Sequence, residues 1–412
     1  MLSVRRVVNS KLCIGCGLCS VETQTGNIKF SKKNDCYIPS ITSISNDSIA
    51  NKICPGKGYN ILESGKKLFP DSKQYDIDLG YIHSISAVRS TDRSILRDAS
   101  SGGIITSLLL YLLQEKIVDK VSVTKFVCTT SGVSTKTFLT SNIEEIFAAQ
   151  GSKYCPVNYA HLINELKQYK GRVAIVATPC VIAGIRSIEE NQPACFSSKI
   201  EFTIANFCGG FKSYTNIKKL AKVHKVDYKN LKDFRFRGGG QPGSLRFISN
   251  DGQVAETPYP KYVGFTGQSK MLRCHLCADA TGELADISCG DAWIPRYEED
   301  QYPWSVVLTR SARGTALLQN MNEKNHVVLD QMSIEEVKLS QRFNLKSKKT
   351  RQAARMRLYK LLGYRRPSFD GGYREIDTGL STEIQVYLKH QFKLFLDKLG
   401  LYKTIYSCSK KN

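Results

Sequence analysis

Three cysteines at three-residue intervals, Cys13, Cys16 and Cys19 in "KLCIGCGLCS", constrain the start of this chain more than any other feature. The C-x2-C-x2-C spacing is the one by which bacterial ferredoxin loops wrap a cubane iron–sulfur cluster. Such a loop takes its shape from the cluster, because a small unit seldom buries enough surface to fold alone. In ferredoxins a fourth cysteine follows three residues later with proline after it, whereas here those places hold Thr23 and Gln24. The missing pair stands at a distance, as Cys54–Pro55 in "ICPG". Cys54 is therefore the expected fourth thiolate, with Cys36 in "NDCYIP" as its rival. In two-cluster ferredoxins the residue absent here ligates the other cluster, so this unit is expected to hold one. Zinc fits less well, since structural zinc takes paired CxxC or Cys/His sets.

The chain has 14 cysteines in 412 residues. "MLSVRRVVNSKLC" has no apolar core segment or small-residue cleavage site, so no secretory signal is expected. The longest apolar run, "GGIITSLLLYLL", falls short of the ~20 residues that cross a bilayer. A cytoplasmic chain does not use its cysteines as a disulfide framework, which points to metal or redox chemistry. Cys128, Cys195 and Cys408 lack ligand-like neighbours and read as small buried hydrophobes.

The remaining sequence suggests an α/β protein in three parts: a ferredoxin-like unit over 1–65, a core over 79–330 and a basic helical C-terminal region over 331–412. "GRVAIVATPC" reads as a buried strand of β-branched residues, "VIAGIRSIEEN" as a helix and "IEFTIANFC" as the next strand. That order predicts a βαβ unit and a parallel sheet. "RDASSGGIITSLLLYLLQE" predicts a helix opening at Ser100 or Ser101. After Asp233 the chain turns to Gly-rich loops and short strands.

Four more cysteines form a second constellation. Cys180 ("ATPCVIAG") and Cys208 ("NFCGGF") each lie at the carboxyl end of an expected parallel strand, where ligands gather in open α/β sheets. Cys274 and Cys277 form a C-x2-C in "RCHLCAD". Spacing alone allows a second [4Fe–4S] cluster or a zinc ion, with Cys155 and Cys289 as possible replacements for one of the four. The Ser-Ser-Gly-Gly run Ser100–Gly103 suits either an anion at a helix start or an ordinary serine cap with closely packed glycines.

In this order, "RDASSGGIITSLL", "GSKY", "VATPCVIAGIRSI", "NFCGGFKS" and "CHLCADATGELADISCGDAW" resemble the coenzyme F420 hydrogenase/dehydrogenase beta subunit family. That family includes 7-hydroxymethyl chlorophyll a reductase-like proteins. The resemblance spans roughly residues 10 to 310 and implies an iron–sulfur flavoprotein oxidoreductase. Electrons would pass from a low-potential donor such as ferredoxin through two [4Fe–4S] clusters to FAD. The organic substrate would be an F420-like deazaflavin or an intermediate of polysaccharide biosynthesis. It also implies cluster ligation by Cys180, Cys208, Cys274 and Cys277, flavin binding by Ser100, Ser101, Gly102, Gly103 and Lys153, and catalytic roles for Lys153 and Asp291. The alternative is an electron carrier that serves a larger complex without a substrate site of its own.

The formal net charge is +22, and from Gln341 onward 17 Lys and Arg face 5 Asp and Glu. Nucleic acid is not expected as a partner on charge alone. "VYLKHQFKLFLDKLGLYK" places Val386, Phe392, Phe395, Leu396 and Leu399 near helical spacing with lysines between them, a pattern that also suits an anionic membrane surface.

Overall fold

The computed structural model describes residues 2–22, 28–31, 35–40, 44–45, 47–196, 199–240, 242–263, 269–374 and 379–401. Cys408 and the side chain of Cys195 lie outside the described residues. Eight strands form one sheet: β1 (Ser84–Ser90), β2 (Lys120–Thr129), β3 (Gly132–Thr140), β4 (Val173–Ala177), β5 (Ile200–Asn206), β6 (Ile287–Asp291), β7 (Ser305–Thr309) and β8 (Val327–Gln331). Their order across the sheet is β8-β1-β7-β6-β5-β4-β2-β3.

The centre is parallel, with Thr203 opposite Ile175 and Ala205 opposite Ser288. The sheet as a whole is mixed, which departs from the parallel expectation. β3 turns straight back on β2, while β7 runs antiparallel to both β6 and β1. The predicted βαβ unit is present: β4 ends at Ala177, Thr178 is the helix N-cap, and Pro179 occupies the first turn of helix Pro179–Asn191, where its missing N–H costs nothing.

Helices cover both faces. Along β4, Val173, Ile175 and Ala177 face one layer, with Leu162 and Leu166 of helix Ala160–Gln168 and Val181, Ile182 and Ile185 of Pro179–Asn191. Ala174 and Val176 face the other, with Ile104, Leu108 and Leu112 of helix Ile104–Gln114 and Leu317 and Met321 of helix Ala312–Glu323. This alternation is the two-residue period of a strand buried on both sides.

Helix Ile104–Gln114 opens later than expected. Ser101 donates its hydroxyl to the Trp304 carbonyl at 2.8 Å, and the Gly102 carbonyl accepts from Ser90 N–H at 2.7 Å. Gly103 then turns through φ 72° as the helix cap, a conformation glycine adopts without penalty.

The cysteine-bearing N-terminus is seated on the core. Ile14, Cys16, Leu18, Val21 and Ile53 share one apolar cluster with Val181, Ile182 and Ile185. A Cβ at Gly184 would collide with Leu18, so this glycine sets how closely the unit docks.

The C-terminal region returns to the same body. Ser333 and Glu336 form a capping box for helix Ile334–Ser340, and Ser368–Phe369 pairs in parallel with Gly58–Tyr59. Its basic residues are not all solvated: Lys348 and Lys349 are fully buried, and Lys349 pairs with buried Glu283.

Candidate functional site

Cys13, Cys16, Cys19 and Cys54 surround one cavity, closed by Val4, Val7, Ile14, Leu18, Tyr37 and Pro39. Gly17 turns the loop through φ 73° and lies so close to Asn158 and Ala160 that no side chain fits. Burial pushes the Cys16 and Cys19 thiols up, and neighbouring cysteines add to both shifts. Burial and Cys13 push Cys54 up to about 11, against backbone N–H groups of Gly56 and Lys57. A hydrogen bond with Cys36 holds the Cys13 thiol below its ordinary value, but the other three, crowded in an apolar pocket, resist becoming thiolates unless a cationic core shares the charge. Cys36 stands outside the lining, behind Cys13, with its Sγ 4.0 Å from the Cys13 carbonyl.

Cys180, Cys208, Cys274 and Cys277 line a second cavity with Ile14, Pro179, Phe211, Arg273, Asp279 and Lys348. Cys180 sits in the first turn after β4, Cys208 two residues beyond β5, and Cys274 in the short helix Leu272–His275. The Phe211 N–H donates to Cys274 Sγ at 3.3 Å. Lys348 and Arg273 are 2% and 1% exposed. Burial works to raise the Cys277 thiol, yet Lys348 and Arg273 together hold it below its ordinary value.

The two cavities adjoin. Ile14 lines both, and Arg273 reaches from the second to the loop of the first, donating to the Pro55 carbonyl at 2.9 Å and the Gly56 carbonyl at 3.2 Å. Among the described residues, no three His, Cys, Asp or Glu side chains are disposed to hold a single metal ion. A four-iron cluster does not ask for that, since each thiolate takes its own iron. Cys155 is buried beside Tyr214, and Cys289 lies on β6 in the opposite layer; neither lines a cysteine cavity.

The remaining sequence candidates meet at a third place. Among the described residues, no side chain caps helix Ile104–Gln114, and Ser100 Oγ is buried without a hydrogen-bond partner. Gly102 is committed to packing: its N–H donates to Ser305 Oγ at 3.0 Å, and a Cβ would lie 2.8 Å from Ser305 N and collide with the Val88 carbonyl. Lys153 donates to the carbonyls of Ala149, Gln150 and Gly151. Burial, with Arg235 adding to it, pushes its pKa down to about 7. Asp291 ends β6 and accepts from Arg237 Nη1 at 2.8 Å.

Arg237 organises this place, and motif reading does not single it out. It is 1% exposed, bonds the Ser100 carbonyl, and lies 4.6 Å from the ring centre of Tyr259 and 5.5 Å from that of Trp293. The alternation in "DFRFRGGG" buries Phe234 and Phe236 and would turn both arginines to the other face, so the sequence gives no sign that Arg237 is buried.

Fold and cavities together define an α/β protein with paired four-cysteine pockets beside the carboxyl ends of its central strands. Residues 85–164 match the N-terminal model, and residues 170–335 the C-terminal model, of the family described as "Coenzyme F420 hydrogenase/dehydrogenase, beta subunit". The chain belongs to the coenzyme F420 hydrogenase/dehydrogenase beta subunit family, and that membership supports an oxidoreductase-type role. It is 29% identical over 275 residues to the coenzyme F420 hydrogenase subunit beta of Methanococcus voltae, covering 65% of this chain and 91% of that one. A coenzyme F420-dependent sulfite reductase of Methanocaldococcus jannaschii is 22% identical over 80% of this chain, which spans 49% of that protein. A chain of the F420-reducing [NiFe] hydrogenase complex from Methanosarcina barkeri shares the fold with a TM-score of 0.55 at 21% identity, covering 73% of this chain and 99% of that one.

Proposed function

We propose that this protein is the electron-transferring subunit of an F420-linked oxidoreductase, with a [4Fe–4S] cluster in each four-cysteine pocket and FAD near Ser100. Its partners are a low-potential donor such as ferredoxin, companion subunits and a small organic acceptor. The observation that carries this reading is the adjacency of the two cysteine cavities through Ile14 and Arg273. The relatives' names support a deazaflavin acceptor over an intermediate of polysaccharide biosynthesis.

When bound, the clusters supply one-electron steps and the flavin couples them to two-electron chemistry. The chain's own part is placement. Val4, Val7 and Leu18 keep water from the first pocket, while Lys348 and Arg273 offset thiolate charge in the second. The uncapped helix start and Ser100 Oγ suit the flavin's anionic groups. Arg237, held by Asp291 and two aromatic rings, supplies positive charge beside them, and Lys153, its pKa pushed down to about 7 by burial, is poised to take up a proton there.

Anaerobic purification followed by iron, sulfide and flavin assays tests the reading. About eight irons per chain follow from two cubanes. Half that value, with only Cys13, Cys16, Cys19 and Cys54 essential, removes the second cluster. Cys54→Ser should cost the first cluster far more than Cys36→Ser, and the opposite ranking reassigns the closing ligand. Ser100→Ala should lower flavin content while iron stays constant; full flavin occupancy moves the pocket elsewhere.

A further inference from the structure

Helix Leu380–Lys398 leaves an apolar stripe uncovered. Ile384, Leu388, Phe392, Phe395 and Leu399 fall within one narrow sector at 3.6 residues per turn, and each is at least 40% exposed. Phe392 is 61% exposed and Leu388 60%. The helix packs through the two flanks of this stripe: Glu383 is buried and Tyr387 packs beside Tyr359 on one side, and Leu396 joins a core cluster on the other, while Val386 across the helix is exposed.

The charges are sorted with equal clarity. The helix has two acidic residues, and both are consumed inward. Glu383 accepts from Arg355 Nε and Nη2 at 3.0 and 3.1 Å, and Asp397 bonds Lys219. What faces solvent is Lys389, Lys393 and Lys398. The neighbouring helix Gln352–Leu361, which packs against it, has no acidic residue at all. It exposes Leu361 at 70%, followed by Leu362 and Tyr364, among exposed Arg357, Lys360 and Arg365.

We infer that these two helix ends form one docking surface for an anionic lipid bilayer. The apolar stripe would enter the acyl boundary, and the lysines and arginines would meet headgroup phosphates. Charge complementarity selects this occupant, because the helix's own two carboxylates turn inward while its exposed lysines stand beside large apolar groups, which matches an interface that is both anionic and greasy. The helix lies on such a surface without crossing it: among the described residues no helix is long and apolar enough to span a membrane. The surface also lies beyond residue 335, where the match to the family's C-terminal model ends.

The test is co-sedimentation of the full, anaerobically purified chain with phosphatidylcholine vesicles with and without phosphatidylglycerol. Binding should require the anionic lipid and weaken as salt rises. Phe392→Gln with Phe395→Gln should weaken it about tenfold per phenylalanine, the scale of one buried aromatic side chain, with circular dichroism and iron content unchanged. Lys389→Glu with Lys393→Glu should weaken binding to anionic vesicles by a similar factor. No binding to anionic vesicles, or equal binding by wild type and the phenylalanine variants, overturns the inference. So does a wild-type oligomer that the phenylalanine variants reduce to monomer without lipid, because the stripe is then a contact between protein chains.

Discussion

At the scale of single residues, Lys348 is the position with the sharpest expected effect. Its ammonium donates to the Asp279 carbonyl and faces the second cysteine cavity, and it comes from a segment beyond the family match. A fixed positive charge favours the more negative, reduced state of a bound cluster. Lys348→Gln, which keeps a donor but loses the charge, should lower the midpoint potential of the cluster proposed for the second cavity by a tenfold change in equilibrium, about 59 mV for one electron. Lys348→Arg should restore it. An EPR-monitored redox titration in which both variants match wild type would leave the lysine a purely structural role. Lys153 gives a second residue-level test. With its pKa pushed down from 10.5 to about 7, the unfolded chain holds a proton that the folded chain lacks between those values. Stability therefore rises with pH across that window, and the lysine costs most below it. Lys153→Met should flatten the rise in the urea midpoint, and an unchanged slope would show that the shift lies on another group.

Among the elements, helix Pro179–Asn191 does two jobs. Its first turn carries Cys180, and its flank at Gly184 receives Leu18 from the first cysteine loop. Gly184→Ala should overpack this contact by about 1–3 kcal/mol. Leu18→Ala in the same chain should recover part of that loss, because the two sites share one contact. Strictly additive denaturation midpoints would contradict docking through this pair. The same element shows what sequence made legible. The β-branched run, the Thr-Pro turn and the helix that follows stand as read, because local preference and burial point the same way. The start of helix Ile104–Gln114 lies a few residues beyond the serines that suggest it, because Ser101 spends its hydroxyl on Trp304, a partner 203 positions away. No local pattern carries that information. Replacing Gly102 would therefore be a poor probe of flavin binding, since the clash with Val88 and Ser305 disturbs the sheet first.

For the whole molecule, the first cysteine set was visible as spacing and the second as two strand ends and a C-x2-C pair, and the structure lines each around its own cavity. What spacing did not reveal was their adjacency, which depends on Arg273 reaching Pro55 and Gly56 across more than two hundred positions. The C-terminal region reads as a basic extension because composition counts charges without locating them. Lys348, Lys349 and Arg355 are buried among partners that lie elsewhere in the chain: Asp279, Glu283, and both His275 and Glu383 respectively.

The two-residue ladder between Gly58–Tyr59 and Ser368–Phe369, with Asp370 capping the N–H groups of Ile61, Leu62 and Glu63, has a consequence for the order of events at the ribosome. Residues 58–63 are made some three hundred residues before the strand and cap that hold them. At roughly 5–20 residues per second, that leaves an interval on the order of tens of seconds. During it residues 58–63, just after Cys54 in sequence, lack the strand partner and the carboxylate that fix them in the folded chain.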